Sequence, residues 1–219
     1  AVILAAEKMK KEVLDIASKL MNTSVEELEY LGESVQDKNG NKLSLRDIGE
    51  RAVSFEGKNQ IITSATWGGS TSPPPFIASF AEVEVDTLTG NTEVIDFLSV
   101  VDCGTPINPA LAQVQVEGGI AQGIGLALYE DIQFDDRGKV KHDTLMQYKI
   151  PSRKDLGNIN VIFSYSNEPT GPFGAKSIGE VVINTASPAI ADAIYNATKA
   201  RVRSLPITSE KLFWEIHSK

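Results

Sequence analysis

A glycine-containing segment in the last third of the chain carries the side chain best suited to acid–base chemistry. Its residues are Gly174, Ala175, Lys176, Ser177, Ile178, Gly179 and Glu180. Small residues let the backbone approach a ligand closely. The apolar run 181–183 follows the glutamate, and apolar surroundings disfavour an ionised carboxyl group. Glu180 is therefore a candidate general base, and the alternative is a glutamate that closes a tight turn on solvent.

Further motifs precede this segment in a fixed order. They are Ala81–Gly90, Asp102–Gly104, Ile107–Pro109, Gln115–Gly119, Gln122–Gly125 and Tyr148–Pro151. Together with the glycine-containing segment they resemble the C-terminal part of the molybdopterin-binding subunit of the molybdenum hydroxylases. This is the family of xanthine dehydrogenase and aldehyde oxidase, and the resemblance covers nearly the whole chain.

The resemblance implies roles for particular residues. Glu180 stands where the family has its catalytic base, and Gln115 matches a glutamine that hydrogen-bonds the pterin cofactor. The backbone N–H groups of residues 174–179 are expected to hold cofactor oxygen atoms. Two residues depart from the family pattern, because Val181 stands where proline is common and Ser177 where glycine or alanine is common.

The same resemblance implies an oxidoreductase that hydroxylates an N-heterocycle or an aldehyde. Its cofactor would be molybdenum–molybdopterin in the dinucleotide form, with no metal ligand from this chain. Iron–sulfur clusters and FAD would lie on partner domains or subunits, since one cysteine cannot ligate a cluster. The expected partners are another segment of the molybdenum subunit, an iron–sulfur subunit and a flavin subunit. A non-catalytic assembly module of such a complex is the second hypothesis.

The first residues resemble the interior of an amphipathic helix without a cap. In the family, cofactor-binding loops lie just upstream of such a helix. We therefore expect a fragment, or one piece of a split subunit.

Composition excludes several other classes of protein. The 21 basic and 29 acidic residues give a formal charge of −8, which argues against nucleic acid or an anionic membrane as the partner. The single cysteine, Cys103, excludes an internal disulfide framework, and we expect it to be a buried strand-end residue. Neither a signal peptide nor an apolar run of membrane-spanning length occurs in these residues. A cytoplasmic protein is expected.

The order of predicted elements indicates an α+β fold. A mixed or antiparallel sheet with packed helices is expected, as in the molybdenum-cofactor-binding domain of xanthine dehydrogenase-like enzymes. Residues 1–67 would form a helical and hairpin subdomain, 68–76 a linker-like segment rich in glycine and proline, and 77–219 the cofactor-binding subdomain.

Periodicity and turn signals predict the individual elements. In the first part they are a helix over 1–20, a capping box of Ser24 with Glu27, a strand near Leu28, a hairpin turn at 37–40 and a helix from the Ser44 cap through Ala52. In the second part they are strands over 78–88, 93–101 and 159–165, helices over 109–129 and 188–198, a hairpin turn at 135–138, and a last helix ending near Trp214.

Four glycines inside the predicted helix 109–129 require an explanation, since each costs a helix about 1 kcal/mol relative to alanine. They are Gly118, Gly119, Gly123 and Gly125. Close approach of another backbone or of a ligand is one explanation, and dense packing against the sheet is the other.

Other chemistries fit the sequence poorly. A phosphate loop would need glycines at Thr170 and Ala175. Gly119, Gly123 and Gly125 do not have the spacing of a dinucleotide-binding fingerprint, and no strand is expected to lead directly into them in a parallel β-α-β unit. The two histidines, His142 and His217, have no cysteine or carboxylate at zinc-ligand spacing, and no glycine-framed serine suggests a hydrolase.

Overall fold

The computed structural model describes residues 1–54, 60–69 and 71–218. The chain forms two compact units, Ala1–Gly68 and Gly69–Lys219. Ser70, within the predicted linker-like segment, lies outside the described residues. No helix of the described residues has the length and apolar character needed to cross a membrane.

The first unit packs two helices on a small antiparallel sheet. Its elements are α1 (Val2–Met21), β1 (Leu28–Tyr30), β2 (Ser34–Asp37), β3 (Lys42–Ser44) and α2 (Leu45–Ser54). The strands lie in the order β1-β2-β3. Val13 and Ala17 of α1 are buried with Val35 of β2 and Ile48 of α2. The amphipathic pattern of α1 and the hairpin turn at 37–40 predicted this arrangement correctly.

Two capping predictions had different outcomes. The Ser44 hydroxyl accepts a hydrogen bond from the Asp47 N–H at 3.1 Å, so the cap of α2 is confirmed. The capping box at Ser24 is wrong, because the Ser24 hydroxyl contacts the Glu26 carboxylate and residues Val25–Glu27 form a single 3₁₀ turn. The chain becomes extended at Leu28, so there is no following helix for a capping box to stabilise.

The second unit is built on a three-stranded mixed sheet. Its strands are β4 (Phe76–Asp86), β5 (Asn91–Asp102) and β6 (Asn158–Phe163), in the order β4-β5-β6. β4 and β5 form the predicted antiparallel hairpin, whereas β5 and β6 are parallel. The α+β class with a mixed sheet is therefore confirmed.

Three helices complete the second unit, and they are α3 (Pro109–Leu128), α4 (Ala186–Thr198) and α5 (Ser209–His217). Because α3 connects β5 to the parallel strand β6, the chain does contain a β-α-β unit. The contrary expectation was wrong, since pairing between strands so far apart in sequence leaves no local pattern. Burial of Phe97 from β5, Ile120 from α3 and Ile190 from α4 joins these elements in one core.

Two of the α3 glycines allow close contact with the segment that leads into α4. A Cβ atom on Gly119 would overlap Val182, and one on Gly123 would overlap Ala186 and lie 3.2 Å from the Ile183 carbonyl oxygen. Of the two explanations offered for the glycines, these positions support close approach, and the approaching group is the chain itself. α3 and the residues after Glu180 therefore hold each other in place.

We predict that Gly123→Ala destabilises the second unit. The added methyl group has no space, and overpacking of this kind costs about 1–3 kcal/mol, against a helix-propensity gain of about 1 kcal/mol. Gly118→Ala is the matched control, because a Cβ there meets nothing within 4 Å, and it should keep or raise stability. Urea unfolding of the purified chain measures both. A Gly123→Ala protein as stable as Gly118→Ala would contradict this packing.

Candidate cofactor site

A cavity of about 430 Å³ lies where the end of β5, the start of α3 and the glycine-containing segment meet. Its lining residues are Cys103, Thr105, Pro106, Ile107, Asn108, Leu111, Ala112, Gln115, Ala175, Lys176, Ile178 and Gly179. Five of the eight predicted site residues therefore border one cavity, and Ser177 and Glu180 are sequence neighbours of these five. The eighth, Gly174, is buried and bonds to the loop after β5.

The charge of the cavity lining differs from that of the chain. The protein has 29 acidic residues, yet no carboxylate is among the described residues that line the cavity. The lining combines the apolar side chains of Ile107, Leu111 and Ile178 with amide and hydroxyl groups and one lysine. Such a surface can contact a ligand through both apolar and hydrogen-bonding groups.

The first half of the glycine-containing segment is bonded to the protein itself. The Lys176 N–H donates to the Cys103 carbonyl oxygen at 2.7 Å, and the Thr105 N–H donates to the Gly174 carbonyl oxygen at 2.7 Å. The N–H groups of Gly174 and Ala175 bond to residues 171 and 172. These three N–H groups of residues 174–176 are therefore engaged within the chain, and this geometry does not offer them to a cofactor.

Gly104 makes this junction possible. Its φ of +71° lies in the left-handed region, and a Cβ atom there would overlap the Gly174 carbonyl oxygen and lie 2.8 Å from the Lys176 nitrogen. A side chain at this position would combine backbone strain with a steric clash. The Asp-Cys-Gly motif therefore seats residues 174–176 against the end of β5.

The second half of the segment has backbone donors to offer. Within the described part of the chain, the N–H groups of Ser177, Ile178 and Gly179 form no hydrogen bond. Gln115 of α3 donates from Nε2 to the Gly179 carbonyl oxygen at 2.9 Å, which uses one of its two amide N–H donors. The predicted set of six backbone donors thus narrows to three, and the Gln115 amide holds the carbonyl group of the last of these residues.

Glu180 follows Gly179 and is exposed. The apolar residues after it pack against the core, where Val182 is fully buried and Val181 and Ile183 are partly buried. They hold the backbone on the C-terminal side of the glutamate.

Sequence reasoning missed a partly buried ion pair beside the cavity. Lys176 Nζ lies 2.7 Å from Asp102 Oδ2, and the two side chains are only 9% and 20% exposed. Hydrogen bonds from Lys176 and then from Ser166 hold the pKa of Asp102 down at about 2. The sequence showed only two opposite charges, one at a strand end and one in the glycine-containing segment. Because 74 residues separate Asp102 from Lys176, no local pattern indicates that the two side chains meet.

Cys103 is a buried free thiol at the end of β5, as predicted. Burial raises its pKa, so the thiolate is disfavoured. Among the described residues, no group of three or more His, Cys, Asp or Glu side chains is placed to hold a metal ion.

Comparison with known proteins identifies the family. A model of the molybdopterin cofactor-binding domain matches residues 1–157. The chain therefore belongs to the molybdopterin cofactor-binding domain family, as the resemblance to xanthine dehydrogenase and aldehyde oxidase implied.

The similarity to individual relatives extends beyond the residues that the family model matches. The probable hypoxanthine oxidase XdhD of Escherichia coli K12 is 32% identical over 210 residues, which cover 95% of this chain and 22% of the relative. The aldehyde oxidoreductase molybdenum-binding subunit PaoC of the same strain is 40% identical over 139 residues, covering 63% of this chain and 19% of the relative. The chain thus spans about a fifth of the length of these curated relatives.

A solved structure also matches most of the chain. Quinoline 2-oxidoreductase from Pseudomonas putida 86 superposes with a TM-score of 0.72 at 28% identity, covering 98% of this chain and 29% of that one. The XdhD alignment covers 95% of the chain, so it extends beyond the end of the family-model match at residue 157.

The residues at the cavity fit such a cofactor. A molybdopterin carries a planar heterocycle and phosphate. The described residues give the cavity apolar walls and a lining without carboxylates, and the adjacent segment 177–179 has three N–H groups that bond no described residue. Gln115, Ser177, Ile178 and Gly179 are the residues that would hold it.

The ion pair predicts a specific dependence of stability on pH. Because the folded-state pKa of Asp102 lies below its ordinary value of 3.8, the pair stabilises the fold above about pH 4. This contribution is lost as the pH falls towards 2. Asp102→Asn should lower stability at pH 6 and shrink the loss between pH 5 and pH 2.5. Asp136→Asn, an exposed turn variant, should follow the wild type. The free energy of unfolding is measured with urea across this pH range. Equal losses of stability in Asp102→Asn and the wild type would contradict the assignment.

Proposed function

We propose that this chain is the C-terminal part of the molybdopterin-binding subunit of a molybdenum hydroxylase, with Glu180 as the base. The observation that carries the proposal is the placement of Glu180. It is exposed directly after three residues whose N–H groups bond no described residue, beside a cavity that no described carboxylate lines. Its substrate class would be an N-heterocycle or an aldehyde, in keeping with relatives described as a hypoxanthine oxidase and an aldehyde oxidoreductase.

Each residue of the site would have a separate task. The N–H groups of Ser177, Ile178 and Gly179 would donate to oxygen atoms of the cofactor, and Gln115 would hold the C-terminal end of this stretch through the Gly179 carbonyl oxygen. Glu180 would accept a proton from the oxygen nucleophile. When bound, the cofactor supplies the oxygen-transfer and two-electron chemistry that side chains lack.

Partners form part of the proposal. The dinucleotide form of the cofactor, another segment of the molybdenum subunit, an iron–sulfur subunit and a flavin subunit would complete a cytoplasmic enzyme. The relative PaoC is described as a molybdenum-binding subunit, which supports an assembly of several chains. The presence of one cysteine in 219 residues supports cluster sites on other chains or domains.

We predict that Glu180→Gln lowers turnover by about 10²–10⁴-fold, the range expected for loss of a general base. The complex isolated through this chain should keep its molybdenum, because the amide leaves the backbone donors in place. The measurements are the rates of hydroxylation of a panel of aldehydes and N-heterocycles and the molybdenum content of each complex. Glu84→Gln, an exposed β4 variant, is the control. Wild-type turnover in Glu180→Gln would remove Glu180 from the mechanism and favour the assembly-module hypothesis.

We also predict that Gln115→Ala reduces cofactor content. Loss of one hydrogen bond costs about 1 kcal/mol, or roughly fivefold in affinity. Gln113→Ala is matched, since Gln113 is exposed on the same helix and bonds Glu117 instead. Molybdenum and pterin per chain are the readouts after dialysis. Equal cofactor content in the two variants would argue against a role for Gln115 in binding.

A further inference from the structure

The end of β5 and the glycine-containing segment form a small bonded junction. Gly104 and Ala175 pair as an antiparallel bridge, which the 2.7 Å bonds on both sides close. The Gly174 carbonyl oxygen also accepts from the Glu168 N–H at 3.1 Å. Residue 176 is thereby fixed in place, and the chain leaves this junction at Ser177.

Lys176 turns its side chain into this junction. Its ammonium group meets the Asp102 carboxylate at 2.7 Å and lies 5.3 Å from the centre of the Phe76 ring. Asp102 Oδ1 in turn accepts from the Gly104 N–H at 2.9 Å and the Ser166 hydroxyl at 2.6 Å. Both carboxylate oxygens are therefore engaged, and three separate parts of the chain meet at one acid.

The residues beyond Lys176 form an arm held at both ends. On the N-terminal side stands the ion pair, and on the C-terminal side Val182 is buried beneath α3. Three residues further on, the Thr185 hydroxyl is 2.7 Å from that of Ser79, which bonds the fully buried Ser99. Residues 177–180, the part proposed to face the cofactor, lie between these anchors.

The ion pair also sets the charge next to the cavity. Asp102 immediately precedes Cys103, which lines the cavity, and Lys176 lines it as well. An unpaired carboxylate here would repel an anionic ligand in a partly desolvated setting. The ammonium group of Lys176 neutralises the Asp102 carboxylate, so the ion pair has no net charge.

We propose that Lys176 and Asp102 are positioning residues, whose ion pair fixes the start of the 177–180 arm and neutralises the acid beside the cavity. The expected effects on cofactor content and turnover rest on the proposed function. The expected effect on the position of the arm does not. Neither residue is assigned contact with the reacting atoms.

The test uses the complex isolated through this chain, with Lys176→Met, Asp102→Asn, the double variant and Lys176→Arg. Amide hydrogen exchange at Thr105 and Lys176 reports the junction, because both N–H groups are bonded across it. Lys176→Met should speed exchange there at least tenfold and leave core amides such as that of Ile124 unchanged. Lys176→Arg, which keeps the charge, should restore most of the protection.

Molybdenum content separates the charge effect from the folding effect. Lys176→Met should lose at least half of its molybdenum, whereas the double variant should recover it, because Asp102→Asn removes the unpaired acid. In variants that retain metal, kcat should fall with little change in KM. Lys38→Met with Glu27→Gln, an exposed pair in the first unit, is the matched control and should change none of these values.

Different failures have different meanings. Unchanged exchange at Thr105 and Lys176 in both the Lys176→Met and the double variant would overturn the proposal. So would a double variant that loses as much molybdenum as the two single variants together. If Lys176→Met does not fold, the exchange test is made on the double variant, because it leaves neither charge of the pair without its partner. Faster exchange in a complex without Glu180-dependent turnover would support the anchor and count against the proposed function alone.

Discussion

Close packing between α3 and the chain after Glu180 is the constraint on which the rest of the second unit depends. Gly119 and Gly123 remove the side chains that would separate α3 from Val182 and Ala186. α3 itself lies between the parallel strands β5 and β6 in the chain. One helix therefore links the sheet, the core and the arm 177–180. Gln115, near its N-terminal end, bonds that arm directly.

Local sequence signals predicted most of the elements. The helices α1, α3 and α4 have apolar periodicity or proline and asparagine caps, and the β4–β5 hairpin has a strong turn at 86–90. The false capping box at Ser24 shows the limit of such signals. Its residue types favour a helix start, but the following residues pair as a strand with β2, and tertiary pairing overrides propensity.

Resemblance predicted which residues belong to the candidate site better than it predicted how they are arranged. Resemblance placed Gln115 and residues 174–180 together, and the cavity borders most of them. The division of the segment into a bonded half and a free half could not be foreseen. It depends on where the Gly174 and Cys103 carbonyl oxygens lie, and on a lysine and an aspartate 74 residues apart. Contacts of this kind are set by the closed fold and leave no periodic trace in the sequence.

The exposure of Glu180 has a consequence for any mechanism in which it acts as a base. A carboxylate in water is a weak base, and enzymes strengthen it by partial desolvation. The described residues hold the backbone on both sides of Glu180, through the Lys176–Asp102 pair and through Val182, but they leave the side chain open. Under the proposed function, this chain therefore sets the position of the base, and any burial of its carboxylate would come from groups outside the described residues.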